Sequence, residues 1–472
     1  VDHIRAISDL YRSTDIRRIF MVMAETHSSE AGQRPSHRPV NRGAWGVVVL
    51  LFLFFTLNFA DKAAIGLGSH QIREDLGLTA SQYGLLSSAF FWLFAIGAVV
   101  LTAALRKISY TWGAGLLMIS WVVTMLPLTV QTSFSVLLAC RIALGFFEGP
   151  AHALCQSIVA DRFSPEKRAT AGAVVNAGSS VGPLIAAPVL TWVILSWSWH
   201  AAFAVLAALG TLWVIAWFWY TEKLPFKRSH EPTVDGDSKV EDPNGNIVVP
   251  FRRLLTLQAF WGLVLLSFAG YLVSSLKVAW LPAYMNEGLG YSAGSVGTLV
   301  TLPYFAAVVV LLSAALLSGR LLRKGHSSNV ARGYVTGGYL LAGGVSMIMF
   351  TQLQPGPLQL VLVIAAFAVN SVATSVAFAG ASDFLPARQR VAFFGCIIAA
   401  YSVAGIVAPY GLGRIVDHAP TAAQGYSTGF MFVGIIVCIF GVVGGLMLNP
   451  EKAKARLVQL TAEYAAEEAR PA

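Results

Sequence analysis

Apolar runs close to the ~20 residues that a membrane-crossing helix needs follow one another along most of this chain. Such repetition narrows the choice of fold, because in hydrocarbon every backbone polar group must be satisfied within its own segment or in a closed barrel. An outer-membrane barrel would show segments of period-two alternation, and none is sustained here. The expected fold is an all-α membrane protein of twelve transmembrane helices, at 44–66, 83–104, 112–130, 134–160, 170–195, 199–219, 259–284, 292–318, 332–352, 358–380, 391–414 and 426–448. Hydrophobic residues make up 56% of the chain and charged ones 12%, and mean hydropathy is +0.65. A soluble globular domain of this length is excluded on that ground.

The runs fall into two sets of six. Between them, TEKLPFKRSHEPTVDGDSKVEDPNGNIVVPFRR is long, polar and rich in Pro, Gly and charge, as a solvent-exposed linker should be. The expected organisation is an N-terminal segment (1–43), a six-helix bundle (44–219), a linker (220–258), a second bundle (259–449) and a tail (450–472). ADRFSPEKRATA after the fourth run resembles SDFLPARQRVAF after the tenth, and LRK after the second parallels GRLLRKG after the eighth. A parallel repeat of six helices is one way transporters are built, with the substrate held between the halves.

The net charge of +9 does not point to nucleic acid, because Lys and Arg cluster on one side of successive runs while QTSFS, SWSWH and QLQPGPLQ on the other carry neither. By the positive-inside rule both termini and the linker are cytoplasmic, as in a multi-pass protein of the inner (plasma) membrane. The first forty residues hold only a short apolar patch, IFMVM, so no cleavable signal is expected, and Met21 or Met23 is an alternative start.

Charge inside the runs needs explaining, since ionised groups in hydrocarbon cost several kcal/mol and normally face a bundle interior or a water path. In RIALGFFEGPAHAL, spacings of seven and four put Arg141, Glu148 and His152 on one helical stripe. A buried structural ion pair is the plainer alternative. Asp61 and Lys62 close the first run beside Asn58, ~100° apart and so aimed at different partners. Lys277 lies in the seventh run, and both lysines can alternatively snorkel to the surface. Cations from three helices favour an anionic substrate. Glu148 is the proton candidate, and His152 a possible relay unless it is a hydrogen-bonded core residue. Asn176, Gln156, Tyr304, Asn370 and Tyr401 can orient a ligand or simply bridge helices.

Gly178 and Gly182 with Pro183 in the fifth run read as a packing device. Cys140, Cys155, Cys396 and Cys438 have no paired spacing and read as core thiols. No nucleotide loop, metal-ligand set or nucleophile motif is present, so neither an enzyme nor a cofactor is expected.

Taken together, NFADKAAI, IREDLGLTASQYGLLSSAF, RIALGFFEGPAHAL, DRFSPEKRATA and AWLPAYM resemble the major facilitator superfamily, and within it the anion:cation symporters of sugar acids and other organic anions. The resemblance implies two bundles rocking around a central cavity, proton coupling at Asp61 and Glu148, and anion contacts at Lys62 and Arg141. Lys62 stands where the family usually has Arg. Leu105 and Gly319 replace the Asp that normally precedes a basic residue in the gating loops, and Phe94 stands where relatives often carry a cavity Tyr, which implies a more apolar cavity suited to an aromatic or short carboxylate at least as well as to a polyhydroxy sugar acid.

The expected function is proton-coupled symport of a small organic anion (sugar acid, aromatic or other carboxylate) by alternating access, in a monomer whose partners are the anion, protons and the bilayer. One alternative is a proton-coupled drug or metabolite exporter, because GSSVGP partly matches an antiporter motif whose final Gly pair is replaced by Ala186 and Ala187. A transporter-like anion sensor is the other, although no added signalling domain is present.

Overall fold

The computed structural model describes residues 42–105, 107–163, 165–222, 251–385 and 387–468. The N-terminal segment, most of the linker, Arg106 and the Asn370 side chain lie outside the described residues. Twelve described helices are long and apolar enough to cross a membrane: α1 (Gly43–Leu67), α2 (Ala80–Leu105), α3 (Tyr110–Thr129), α4 (Phe134–Arg162), α5 (Thr170–Ser196), α6 (Trp199–Glu222), α7 (Gln258–Ala279), α8 (Ala293–Arg323), α9 (Asn329–Phe350), α10 (Pro357–Ser382), α11 (Phe393–His418) and α12 (Ala422–Met447). A polar helix, α13 (Pro450–Glu468), follows. No strand occurs among the described residues.

Ser or Thr starts many of these helices by accepting a backbone N–H that would otherwise be orphaned. Thr79 and Gln82 form a reciprocal capping box at α2, while Ser109, Ser133, Ser292 and Thr421 cap α3, α4, α8 and α12.

The halves repeat each other more deeply than their basic loops suggest. Gly77 before α2 and Gly290 before α8 both take left-handed backbone, at φ 61° and 75°, each followed closely by a capping hydroxyl, Thr79 and Ser292. The regular α-helix breaks at Leu93 in α2 and at Val300 in α8, and again at Gly149–Pro150 in α4 and Val369 in α10. Arg168 donates to the Phe163 carbonyl (2.8 Å) and Arg390 to the Leu385 carbonyl (3.0 Å), each reaching back five residues. The offset between the two prolines in those loops is thereby absorbed.

Close helix approach depends on missing side chains. A Cβ on Gly178 would lie 2.5 Å from the Phe52 carbonyl oxygen, and one on Gly182 would lie 2.5 Å from that of Thr56, so α5 seats directly on α1. The halves meet through α2 against α11 and α5 against α8, where Gly84 faces the Pro409 carbonyl and Gly297 faces Thr191.

Specific polar contacts between the halves gather at the distal end, where the α1–α2 and α7–α8 connections lie. Asp417 accepts the Ala80 and Ser81 backbone N–H groups at 2.8 Å each, capping α2 from the other half. The Tyr83 hydroxyl is shared between the Ile65 carbonyl of α1 (2.9 Å) and the Ala279 carbonyl of α7 (3.0 Å). Arg73, in the short helix Ser69–Asp75, bonds both oxygens of Glu287 at 3.0 and 2.8 Å, and Tyr426 donates to the same carboxylate at 3.0 Å. Burial disfavours the Arg73 charge, but Glu287 and Tyr426 together outweigh it and the guanidinium holds its proton more tightly than usual. At the opposite, basic end, Arg332 and Ser328 gather on Asp383 (3.5 and 2.6 Å) within the second half, and a Cβ on Gly319 would meet only Arg323.

Candidate functional site

Four ionisable side chains come together between α1 and α4. Asn58 and Lys62 are one turn apart on α1, and Lys62 Nζ donates to both the carbonyl and the side-chain oxygen of Asn58, at 3.0 and 2.7 Å. The same ammonium pairs with Glu148 on α4. Lys62 therefore does not snorkel outward, and the carboxylate's ion-pair partner is Lys62 of the neighbouring helix. Arg141 lies two turns before Glu148, 3% exposed, with its guanidinium 5.1 Å from the Phe90 ring centre. Lys62 Nζ stands 5.2 Å from that ring and 4.6 Å from Phe59, so aromatic faces on α1 and α2 support both cations. Asp61, also buried, sits in the field of Glu148, Lys62 and Arg141.

Two positive and two negative groups offset one another's burial cost, which would be several kcal/mol for any one alone. Hydrogen-bonding capacity nevertheless remains: Arg141 Nε and Nη1, Glu148 Oε1, Asn58 Nδ2 and both Asp61 oxygens have no geometric partner. Access is graded, since the Lys62 side chain is 15% exposed and that of Glu148 1%. Such a cluster can receive an anion at the cations and a proton at the carboxyls.

The other candidates take separate places. Lys277 is 3% exposed, donating to the Phe367 carbonyl (3.2 Å) with its ammonium 4.5 Å from the Tyr304 ring centre. It is held within its own half by α8 and α10. Tyr401 packs on Tyr271 (4.7 Å), and Tyr271 packs on Phe91 of α2 across the boundary (5.6 Å). Phe94 packs on Phe90 at 5.6 Å. The helix break at Gly149–Pro150 separates His152 from the stripe it would otherwise share with Arg141 and Glu148. His152 is exposed and 5.9 Å from the Phe55 ring, and Gln156 donates to Asn176 at 3.2 Å. The four cysteines are all unpaired.

Phe90, Phe59, Phe91 and Tyr271 were not legible as site residues, because their roles arise from contacts between helices. Arg73 and Glu287 did carry a signal: a charged residue in each of two connections that the repeat makes equivalent.

A repeat of six crossings, joined by polar contacts at one end and carrying buried charge within, is the architecture of a multi-pass membrane transporter. The chain belongs to the Major Facilitator Superfamily, whose sequence profile matches residues 50–409. It is 26% identical over 431 residues to the D-galactonate transporter of Escherichia coli O6:H1, covering 86% of this chain and 96% of that protein. It is 25% identical to the probable galactarate/D-glucarate transporter of Bacillus subtilis, over 86% and 90% of the two chains. A bacterial homolog of the human lysosomal transporter Spinster, in an inward-facing and unoccupied conformation, shares the fold at TM-score 0.72 and 16% identity, covering 88% of this chain and 98% of its own.

Proposed function

We propose that the protein is a proton-coupled symporter of a small organic anion, working by alternating access. The observation that carries this reading is the joining of Lys62 and Arg141 with Asp61 and Glu148 in one buried cluster. With both carboxyls ionised the four charges sum to zero. Protonating one carboxyl leaves a net positive charge that a monocarboxylate neutralises, so proton and anion favour each other's binding. Lys62 and Arg141 hold the carboxylate, the latter through its unpartnered Nε and Nη1. Asp61 and Glu148 carry the proton. Lys277, Phe94, Tyr304, Tyr401, Asn176 and Asn370, with Tyr271, are the candidates for contacting the remainder of the substrate, and His152 for relaying protons.

Relatives named for galactonate and for galactarate/D-glucarate support a carboxylate substrate. In this reading the protein is a monomer in the inner (plasma) membrane with its termini and basic loops in the cytoplasm, and the sealed distal end faces outward. Each proton carried in beyond the anion charge gains ~2.3 kcal/mol per 100 mV of membrane potential. The test is uptake into proteoliposomes of an acid chosen from sugar acids and aromatic carboxylates by thermal shift. A proton gradient is expected to drive accumulation, and Glu148→Gln to abolish it while leaving anion exchange. Normal accumulation by that variant removes Glu148 from the mechanism.

A further inference from the structure

The indole N–H groups of the buried tryptophans are otherwise accounted for. Trp199 donates to Asp75 (2.7 Å), Trp213 to the Leu50 carbonyl (2.7 Å), Trp217 to the Thr111 carbonyl (2.8 Å) and Trp280 to the Pro409 carbonyl (2.9 Å). Trp121 is 1% exposed and its Nε1 has no partner. This residue lines a small void between α1, α3 and α6 together with Leu57, Asp61, Met118, Val122, Met125, Leu206 and Gly210. Its only polar side chains are Trp121 and Asp61, and no donor group reaches either Asp61 oxygen, whose charged neighbours are the Glu148 carboxyl, Lys62 and Arg141. Leaving a buried N–H unsatisfied costs ~1–3 kcal/mol, and a buried carboxylate more. A polar void of this kind takes up water, whereas an apolar one stays dry.

We propose that one water molecule seated in this void accepts from the Trp121 indole and donates to Asp61, making Trp121 a positioning residue for the Asp61 carboxyl. The contact reaches Asp61 from α3, whereas the charged groups whose field it feels are Lys62 on its own helix and Arg141 and Glu148 on α4. The walls that α3 and α6 contribute to the void hold no titratable residue. The water-bridged indole thus offers the Asp61 carboxyl a donor that nothing else lining the void supplies. Its importance for transport rests on the proposed role of Asp61 in proton coupling.

The Asp61 carboxyl band, identified by its loss in Asp61→Asn, can be followed by infrared difference spectroscopy of purified full-length protein without any transported anion. Trp121→Phe keeps the ring and removes the donor, so the pH midpoint of that band is expected to rise by about 0.5–1 unit. Leu57→Phe fills the void and leaves the indole donor in place, and should shift it the same way. Trp213→Phe, which loses an N–H bonded to a backbone carbonyl, should leave it in place. An unchanged midpoint in both Trp121→Phe and Leu57→Phe, an equal shift in Trp213→Phe, or an Asp61 band that does not titrate overturns the inference. A shifted midpoint in a protein that shows no proton-driven uptake upholds it and overturns the coupling instead.

Discussion

Glu287 holds the distal end shut by accepting three hydrogen bonds, two from Arg73 of the other half and one from Tyr426 of its own. The side chains of Arg73 and Glu287 are 21% and 15% exposed, so solvent screening is incomplete. Glu287→Gln keeps the shape but loses the charge, and with it about 2 kcal/mol of the charge-assisted pair. Since ~1.4 kcal/mol is tenfold, the closed-to-open ratio should fall about 30-fold. An equilibrium at about 99:1 would move to about 3:1, making the open state a readily measured population. Spin labels at Gln131 and Ala422, exposed distal positions in opposite halves, would report it after replacement of Cys140, Cys155, Cys396 and Cys438. A second, longer distance should appear in Glu287→Gln and in Arg73→Ala, and the double variant should add little, because both changes break one interaction. A single unchanged distance in Glu287→Gln, or effects that simply add, would show that the pair does not latch the halves.

Two further outcomes follow from the geometry. Arg141→Lys keeps the charge but gives up the planar fork whose Nε and Nη1 are unpartnered, so transport should need about 10-fold or more substrate for half-saturation, about 1.4 kcal/mol, with little change in melting temperature. Gly178→Val would force a side chain into the Phe52 carbonyl and the Phe55 side chain where α5 meets α1, costing about 1–3 kcal/mol, read as a lower melting temperature in detergent.

The sequence yields most of the fold, because length, hydropathy and basic-loop asymmetry are local properties of each crossing. Twelve described helices lie close to the expected spans. The breaks within α2, α4, α8 and α10 were less legible. Gly149–Pro150 marks one of them plainly, yet an ideal stripe carried straight through it placed His152 with Glu148. Pro150 has no N–H to continue the ladder, and Gly149 sits against the backbone of Phe94 and Ala98, which fixes the turn. The pairing of Lys62 with Glu148 was beyond periodicity altogether, since it depends on the separation of α1 and α4 and on the aromatic faces that floor the cluster.

The distribution of charge constrains how the halves divide the work. From Gln258 onward the only acidic residues before the tail are Glu287, Asp383 and Asp417, and each is engaged at an end of the bundle. The first half alone carries carboxyls at the depth of the cations. On the proposed mechanism, proton binding is therefore an event of α1 and α4, and the second half responds through what faces it: Tyr271, which packs on Phe91 of α2, and Tyr401 behind it. An anion held by Lys62 and Arg141 that also touches that aromatic surface would bias the contact between halves, because a ligand shifts a conformational equilibrium by its differential affinity for the two states.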